Sequence, residues 1–132
     1  MSESQGEGKL RVLIVDDEPV IRALVRSVLS RDERLELLMA GDGEEAVSLA
    51  RVHHPLLVLL DVRMPRMGGV EACRVLRQDP ATAHAKIVML TAMGQDQDVE
   101  RGYAAGADDY FLKPFRPAEL VERVLDALDL VA

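Results

Sequence analysis

The sequence predicts an α/β fold, a doubly wound three-layer sandwich in which five strands of a parallel sheet alternate with five helices. Short aliphatic runs alternate with amphipathic stretches along the chain, as in repeated βα units. The aliphatic runs are short and mostly apolar, which is typical of strands covered on both faces. A length of 132 residues with 48% hydrophobic residues suits a single core. We expect one domain over residues 9–130, after a disordered leader at residues 1–8.

The first half of the chain predicts three strands and two helices. The strands are Leu10–Val15, Leu35–Ala40 and Leu56–Leu60. The first helix begins at Pro19 and carries one wide apolar face, made by two i, i+4 series: Val20, Leu24 and Val28, with Ile21, Val25 and Leu29. The second helix follows an N-cap aspartate, Asp42, which has a glutamate three residues on, and it runs to about His53.

The second half predicts three helices and two strands. The third helix has an apolar side and stops near Asp79, and strand four is Lys86–Leu90. A polar helix from about Gln95 is closed by Gly106, and its acidic residues, from Asp96 to Glu100, are expected on a solvated face. Strand five is Tyr110–Leu112, and the last helix begins at Pro117.

Polar residues follow four of the five predicted strands, at the point where each strand ends. Asp16 and Asp17 follow the first strand, Asp61 the third, Thr91 the fourth and Lys113 the fifth. In the flavodoxin-like strand order 2-1-3-4-5, strands one and three are neighbours, so the three aspartates share one crevice at the carboxyl ends of the strands. Each residue alone has an ordinary local explanation, such as an acidic first helical turn, but their common edge favours a site.

Three carboxylates in one crevice need compensating positive charge. Two like charges about 4 Å apart repel by roughly 4 kcal/mol at an effective dielectric near 20, and a single lysine does not balance three. Oxygen ligands, with no His or Cys at ligand spacing, select a hard cation, and a site with room for waters and phosphate suits Mg²⁺. We therefore expect a magnesium site, with Mn²⁺ as a substitute.

These motifs resemble the signature of the response-regulator receiver domain of two-component signalling. The site residues Asp16, Asp61, Thr91 and Lys113 are separated by 45, 30 and 22 positions, and the similarity extends from about Leu10 to Leu128. The quoted motifs are Asp16-Asp17, Asp61-Val62-Arg63-Met64-Pro65, Thr91-Ala92 and Lys113-Pro114-Phe115. The resemblance implies a phosphoacceptor switch rather than a turnover enzyme, with intrinsic autophosphorylation and autodephosphorylation activity.

The resemblance also implies a role for each site residue. Asp61 is the phosphoacceptor. Mg²⁺ binds to Asp17 and Asp61 directly, to Asp16 through a water and to the backbone carbonyl of Arg63. Lys113 pairs with the phosphoryl oxygens and precedes a cis bond to Pro114, and the Thr91 hydroxyl donates a hydrogen bond to one phosphoryl oxygen.

Signal output is expected to leave through strands four and five. Thr91 and Tyr110 are taken to lie at the ends of these adjacent strands, and the Tyr110 ring is expected to move inward when the Thr91 hydroxyl turns to the phosphoryl group. The surface so altered is helix four, strand five and helix five. Arg63 and Met93 flank the phosphoryl group, and neither is an acid or an amide suited to orienting an attacking water, which predicts slow self-dephosphorylation.

Four alternatives were weighed against this interpretation. A receiver-like binding module that has lost phosphorylation is disfavoured by the intact acid pair, Asp61, Thr91 and Lys113. A hydrolase of the haloacid-dehalogenase type needs a second aspartate two residues after its nucleophile, where this chain has Glu18 or Arg63. A P-loop nucleotidase is excluded because the chain has no G-x-x-x-x-G-K-[ST] motif. An FMN protein is disfavoured because its phosphate loop would be hydroxyl-rich and uncharged, whereas the corresponding loop here is acidic.

Charge and composition bear on partners. A net charge of −7 argues against direct binding of nucleic acid or anionic lipid, and no apolar run approaches the roughly 20 residues of a membrane span. A single cysteine, Cys73, and the lack of a signal sequence favour the cytoplasm. The expected partners are a sensor histidine kinase or phosphotransfer protein and a downstream effector protein or domain.

The oligomeric state stays open at this stage. Asp109 and Arg123 match a pair that bridges active dimers in the winged-helix branch of the family, which favours a phosphorylation-dependent homodimer. Val99, however, stands where that branch usually has a basic residue, and the last helix ends with Asp126 and Asp129 in place of basic residues. Because this acidic end does not resemble the start of a linker, we expect a stand-alone regulator.

Overall fold

The computed structural model describes residues 8–92 and 96–131, and five strands and five helices alternate along it. The strands are Leu10–Val15 (β1), Leu35–Ala40 (β2), Leu57–Asp61 (β3), Lys86–Ala92 (β4) and Asp109–Lys113 (β5). The helices are Pro19–Leu29 (α1), Gly43–His53 (α2), Gly69–Gln78 (α3), Asp96–Ala105 (α4) and Pro117–Ala127 (α5). The predicted order of elements is confirmed. Met93 and residues 1–7 of the predicted leader lie outside the described residues.

The five strands form one parallel sheet in the order β2-β1-β3-β4-β5, as predicted. Successive residues of the central strands face opposite sides: Leu13 and Val15 of β1 pack into one apolar cluster, and Val12 and Ile14 pack into the other. α2, α3 and α4 supply the first cluster, whereas α1 and α5 supply the second. The sheet therefore has helices on both faces, which is the predicted three-layer sandwich.

The start of α2 confirms the predicted N-cap. The Asp42 side chain accepts a hydrogen bond from the Glu45 N–H at 2.9 Å, and the Glu45 carboxylate accepts one from the Gly41 N–H at 2.8 Å. The helix ends at His53, and His54 follows in the left-handed region with φ 50°. Local chemistry that is visible in the sequence thus fixes both ends of this helix.

The wide apolar face predicted for α1 is only partly buried. Val25 and Leu29 are buried, but Val20 is 77% exposed and Leu24 is 37% exposed. Val20 and Leu24 lie one position before Ile21 and Val25 of the other i, i+4 series, which is about 100° around the helix. At that angle their side chains lie outside the contact between α1 and the sheet. Of the series Val20, Leu24 and Val28, only Val28 in the last turn of α1 is buried. It packs in the apolar cluster that also contains residues of α5.

Three of the predicted site residues lie inside strands rather than after them. Leu56 is exposed and β3 ends with Asp61 itself, while β4 includes Thr91 and β5 ends with Lys113. The sequence pattern indicates where an aliphatic run ends, whereas the end of a strand depends on backbone hydrogen bonds to the next strand. Such a bond continues beyond Asp61, because the N–H of Val62 donates to the Leu90 carbonyl. The side chains of Asp61, Thr91 and Lys113 are therefore held by the sheet rather than by loops.

Candidate functional site

Three aspartates meet at the carboxyl edge of the sheet, between β1 and β3. Asp16 directly follows β1, Asp17 comes next, and Asp61 ends β3; one carboxylate oxygen from each lies within 4.8 Å of the others. Asp16 is fully buried and Asp61 is 7% exposed, whereas Asp17 is exposed. The predicted cluster is confirmed, with one acid open to solvent and two enclosed by the fold.

Lys113 is the cation that faces this cluster. Its Nζ lies 2.7 Å from Asp16 Oδ2, 3.4 Å from Asp61 Oδ1 and 3.6 Å from Glu18 Oε1. The peptide bond between Lys113 and Pro114 is cis, as predicted. The strand end thus delivers the ammonium into the space between β1 and β3, where it contacts Asp16 more closely than Asp61.

The two oxygens of Asp16 differ in their partners. Oδ1 accepts a hydrogen bond from the Glu18 N–H at 2.9 Å. Oδ2 is buried and forms an ion pair with Lys113 at 2.7 Å, but among the described residues it has no partner with hydrogen-bond geometry. One buried anionic oxygen is therefore left incompletely satisfied at the centre of the site.

The electrostatics of the site show an excess of negative charge. Burial, and next the charge of Asp16, raise the pKa of Asp61 to about 7 against the opposing effect of Lys113. Burial by itself would lower the pKa of the Lys113 ammonium, but the contact with Asp16 and the charge of Asp61 outweigh it and leave that pKa raised. One ammonium stays charged and does not neutralise the three acids.

The donor set fits a divalent cation. It consists of carboxylate oxygens only, one of them buried without a hydrogen bond, and a hard cation with oxygen ligands would supply the missing charge. Asp16, Asp17 and Asp61 are the described side chains that could hold it. The Arg63 side chain is directed elsewhere, so this residue could contribute only its backbone carbonyl.

The loop that follows Asp61 folds back against it. The N–H of Gly69 donates to the Val62 carbonyl at 2.8 Å. A Cβ atom at position 69 would lie 2.2 Å from the carbonyl oxygen of Asp61, so only glycine allows α3 to begin this close to the backbone of Asp61. The sequence pattern of two adjacent glycines before α3 therefore has a positional role.

Thr91 and Tyr110 lie on the same face of the sheet but not at matching strand ends. Thr91 is 2% exposed, and its hydroxyl is 3.4 Å from the Ala92 carbonyl, which it faces as a donor. Tyr110 is the second residue of β5 and pairs in register with Met89, two residues before Thr91. The expectation that both residues lie at strand ends is wrong for Tyr110, because β5 begins at Asp109.

The Tyr110 ring already occupies the inner position, beneath α4. Its hydroxyl donates to the carbonyls of Asp98 at 2.9 Å and Val99 at 2.7 Å, and its ring centroid lies 4.8 Å from that of Tyr103. Burial, followed by the neighbouring Tyr103, raises the pKa of Tyr110 to about 12. The inward movement that was expected on phosphorylation is therefore not required to reach this packing.

Asp98 is the functional candidate that the sequence interpretation missed. It was assigned to a solvated face, but it is 6% exposed. Its Oδ2 accepts a hydrogen bond from Arg63 Nε at 3.0 Å and forms an ion pair with Arg63 Nη2 at 2.9 Å. A signal was present: Asp98 precedes Gly102 by four residues, so both lie on one face of α4, and the lack of a side chain at Gly102 marks that face as a close contact.

The fold and sequence of this chain are similar to those of known proteins. The family model for the response regulator receiver domain matches residues 12–125. The chain belongs to the response regulator receiver family. This receiver domain is 46% identical over 114 residues to the DNA-binding response regulator MtrA of Mycolicibacterium smegmatis, a match that covers 86% of the chain and 48% of that relative. The chain thus spans about half the length of that relative.

Solved receiver structures agree with the fold. The chemotaxis protein CheY4 of Vibrio cholerae superposes with a TM-score of 0.83 at 32% identity, covering 90% of this receiver domain and 98% of that chain. A CheY-like receiver domain protein from Methanospirillum hungatei gives 0.84 at 28% identity, with 92% and 94% covered. Accepting a phosphoryl group in two-component signalling is the function of this family.

No helix in residues 8–92 and 96–131 is long and apolar enough to cross a membrane.

Proposed function

We propose that residues 9–130 form a phosphoacceptor switch in which Asp61 is the residue that becomes phosphorylated. The observation that carries this proposal is the position of Lys113, whose ammonium lies 3.4 Å from Asp61 Oδ1 and 2.7 Å from Asp16 Oδ2. Asp61 is the acid that ends a central strand with Asp16 and Asp17 on one side and the lysine facing it. A phosphoryl group on this oxygen has its countercharge in place.

The chemistry asks little of the protein beyond positioning and charge neutralisation. An oxygen of the Asp61 carboxylate attacks the phosphorus of a partner's phosphohistidine; the new O–P bond forms an acyl phosphate while the N–P bond breaks and its electron pair returns to the imidazole. Lys113 pairs with the phosphoryl oxygens. The Thr91 hydroxyl turns from the Ala92 carbonyl to donate to one of them.

We propose that the site binds Mg²⁺, with Asp17 and Asp61 as direct ligands, Asp16 acting through a water and Arg63 contributing its backbone carbonyl. When bound, the cation neutralises charge on the transferring phosphoryl group. The buried, incompletely satisfied oxygen of Asp16 supports this assignment. Asp17, the exposed acid, is the residue through which the site is reached from solvent.

The same machinery supports autophosphorylation from small phosphate donors, and autodephosphorylation when water attacks the acyl phosphate. Neither activity makes the chain a turnover enzyme. Arg63 offers no group that accepts a proton from water, and Asp98 holds its guanidinium at 2.9 Å, which supports slow self-dephosphorylation. Met93, the other flanking residue of this prediction, lies outside the described residues.

The proposed partners are a sensor histidine kinase or phosphotransfer protein and a downstream effector protein or domain, in the cytoplasm and without direct contact with nucleic acid or membrane. The effector face is α4, β5 and α5, with Thr91 and Tyr110 as the relay, and a phosphorylation-dependent homodimer would use this same face. Within one chain, Arg123 Nη2 already lies 3.2 Å from Asp109 Oδ2. A dimer through that pair would have to exchange this contact.

The phosphoacceptor is tested by incubating the chain with acetyl phosphate and Mg²⁺ and measuring its intact mass. The wild type should gain one phosphoryl group, and Asp61→Asn should gain none, because an amide lacks the nucleophilic oxygen. Asp109→Asn, which changes an exposed aspartate away from the site, is the matched control and should label like the wild type. Full labelling of Asp61→Asn would refute the assignment.

A further inference from the structure

The first turn of α4 is held from two directions. On its sheet side, the Tyr110 hydroxyl donates to the backbone carbonyls of Asp98 and Val99. Toward the phosphoacceptor, the side chain of Asp98 accepts a hydrogen bond from Nε of Arg63 and forms an ion pair with Nη2 of the same guanidinium. Asp98 therefore connects two parts of the molecule. Its side chain contacts Arg63 in the loop that follows Asp61, and its backbone carbonyl accepts a hydrogen bond from Tyr110 on β5.

The environment of Asp98 makes this contact selective. Its side chain is 9% exposed, whereas that of Arg63 is 68% exposed, so the buried acid has the guanidinium as its close cationic partner. Arg101, one turn further along α4, is the other cation beside it, at 4.0 Å from Oδ1. A buried carboxylate requires such a partner, and replacing Arg63 would leave the more distant Arg101.

The inner position of the ring also depends on α4. A Cβ atom at Gly102 would lie 1.7 Å from the Tyr110 hydroxyl oxygen and 2.8 Å from Cζ. The Tyr110 ring thus packs against the backbone of α4 at Gly102. A displacement of α4 smaller than either of these distances changes the packing of the ring. Whatever holds the first turn of α4 consequently holds the ring.

We propose that Asp98 is a positioning residue that links the phosphoacceptor loop to Tyr110 through its ion pair with Arg63. The proposal rests on the proposed function, because the perturbing group is a phosphoryl group on Asp61. Arg63 follows Asp61 by two residues, so a new anion on Asp61 competes with Asp98 for the guanidinium. A change in this pair shifts α4, and the carbonyls that receive the Tyr110 hydroxyl move with it.

The test measures amide chemical shifts of the full chain with Mg²⁺, before and after addition of beryllofluoride, which stands in for the phosphoryl group. In the wild type, the amides of Tyr110 and of the first two turns of α4 should shift along with those next to Asp61. In Asp98→Asn, the site amides should shift as in the wild type, while the Tyr110 and α4 amides should shift less than half as far. In Arg63→Gln, the shifts of the Tyr110 and α4 amides, measured relative to those of the site amides in the same variant, should likewise be less than half those of the wild type.

The matched control is Arg101→Gln, which changes the other cation near Asp98 but has no counterpart in the phosphoacceptor loop; its α4 response should equal that of the wild type. The double variant, Arg63→Gln with Asp98→Asn, should show no further loss, because both single changes break the same pair. Arg63→Lys, which keeps the charge, should recover part of the response. If Asp98→Asn fails to fold, Arg63→Gln at the exposed end of the pair gives the same measurement.

The outcomes separate this proposal from the proposed function. If both variants bind beryllofluoride and their α4 and Tyr110 amides respond fully, or if those amides are silent in the wild type while the site responds, the link through Asp98 is wrong and Asp61 remains the phosphoacceptor. If the wild type neither binds beryllofluoride nor gains mass with acetyl phosphate, the proposed function itself fails.

Discussion

At the scale of single residues, the three acids of the site have different environments that predict different roles. Asp16 is fully buried, lies 2.7 Å from the Lys113 ammonium and accepts the Glu18 N–H, whereas Asp17 is exposed. An acid already engaged with a lysine is less available as a direct ligand than an open one. We therefore expect Asp17 to be the direct ligand and Asp16 the indirect one.

Titration with Mg²⁺ should rank these two residues. We expect Asp17→Ala to weaken Mg²⁺ binding by roughly 100-fold and Asp16→Ala by roughly tenfold, because loss of a direct ligand costs more than loss of an outer partner. Amide shifts of the site measure the affinity, with Glu18→Ala as the nearby control that should change it least. Equal losses for the two aspartates, or the reverse order, would contradict the assignment.

At the scale of elements, the N-cap of α2 shows how one side chain stabilises a helix. The hydrogen bond from the Glu45 N–H, and then that from Arg66, hold the pKa of the Asp42 carboxyl below its ordinary value of 3.8. Because the folded pKa is the lower one, the stabilisation is fully present above about pH 4 and is lost as the pH falls through the folded pKa.

Asp42→Ala should therefore lower the free energy of unfolding by about 1 kcal/mol at pH 7. The difference between this variant and the wild type should shrink as the pH is lowered below 3.8. Urea unfolding at a series of pH values measures it. Glu44→Ala, an exposed residue in the same first turn, is the control, with an expected change within about 0.5 kcal/mol. A difference independent of pH would show that the carboxylate charge does not contribute.

At the scale of the whole molecule, Arg77 joins α3 to the segment before β4 and to the segment before β5. It lies in α3, and its guanidinium donates to the carbonyls of Gly106 at 2.8 Å, Ala83 at 2.9 Å and Ala85. It also pairs with Asp108 at 2.5 Å, whose carboxylate accepts the N–H of Ile87 at the start of β4. One side chain thus connects α3 with the segments that enter β4 and β5.

Arg77→Met should lower the free energy of unfolding by about 3 kcal/mol, because several carbonyls and one carboxylate would lose a charged donor while the apolar stem is kept. Chemical unfolding followed by circular dichroism measures this change. Arg74→Met, at an exposed position of the same helix, should alter stability by no more than about 0.5 kcal/mol. Similar losses in the two variants would mean that the network around Arg77 contributes nothing specific.

The sequence by itself determined the alternation of strands and helices and the edge at which the site lies. Most strands contain a run of aliphatic residues, and a parallel sheet brings the carboxyl ends of its strands to one side. Asp16, Asp17, Asp61 and Lys113 could therefore be assigned to one edge from the sequence, because this assignment needs only the direction of the strands and the order 2-1-3-4-5 that is typical of such sheets.

Only the tertiary structure decided which neighbours these residues meet. Helical periodicity indicates on which face of a helix a residue lies, but not how much of that face the neighbouring elements cover. Val20, predicted on the apolar face of α1, is therefore exposed, while Asp98, predicted to be solvated, is buried. The inner position of the Tyr110 ring depends likewise on the approach of α4 at Gly102. These contacts join residues that are far apart in the chain, and they are set by how closely helices pack on the sheet.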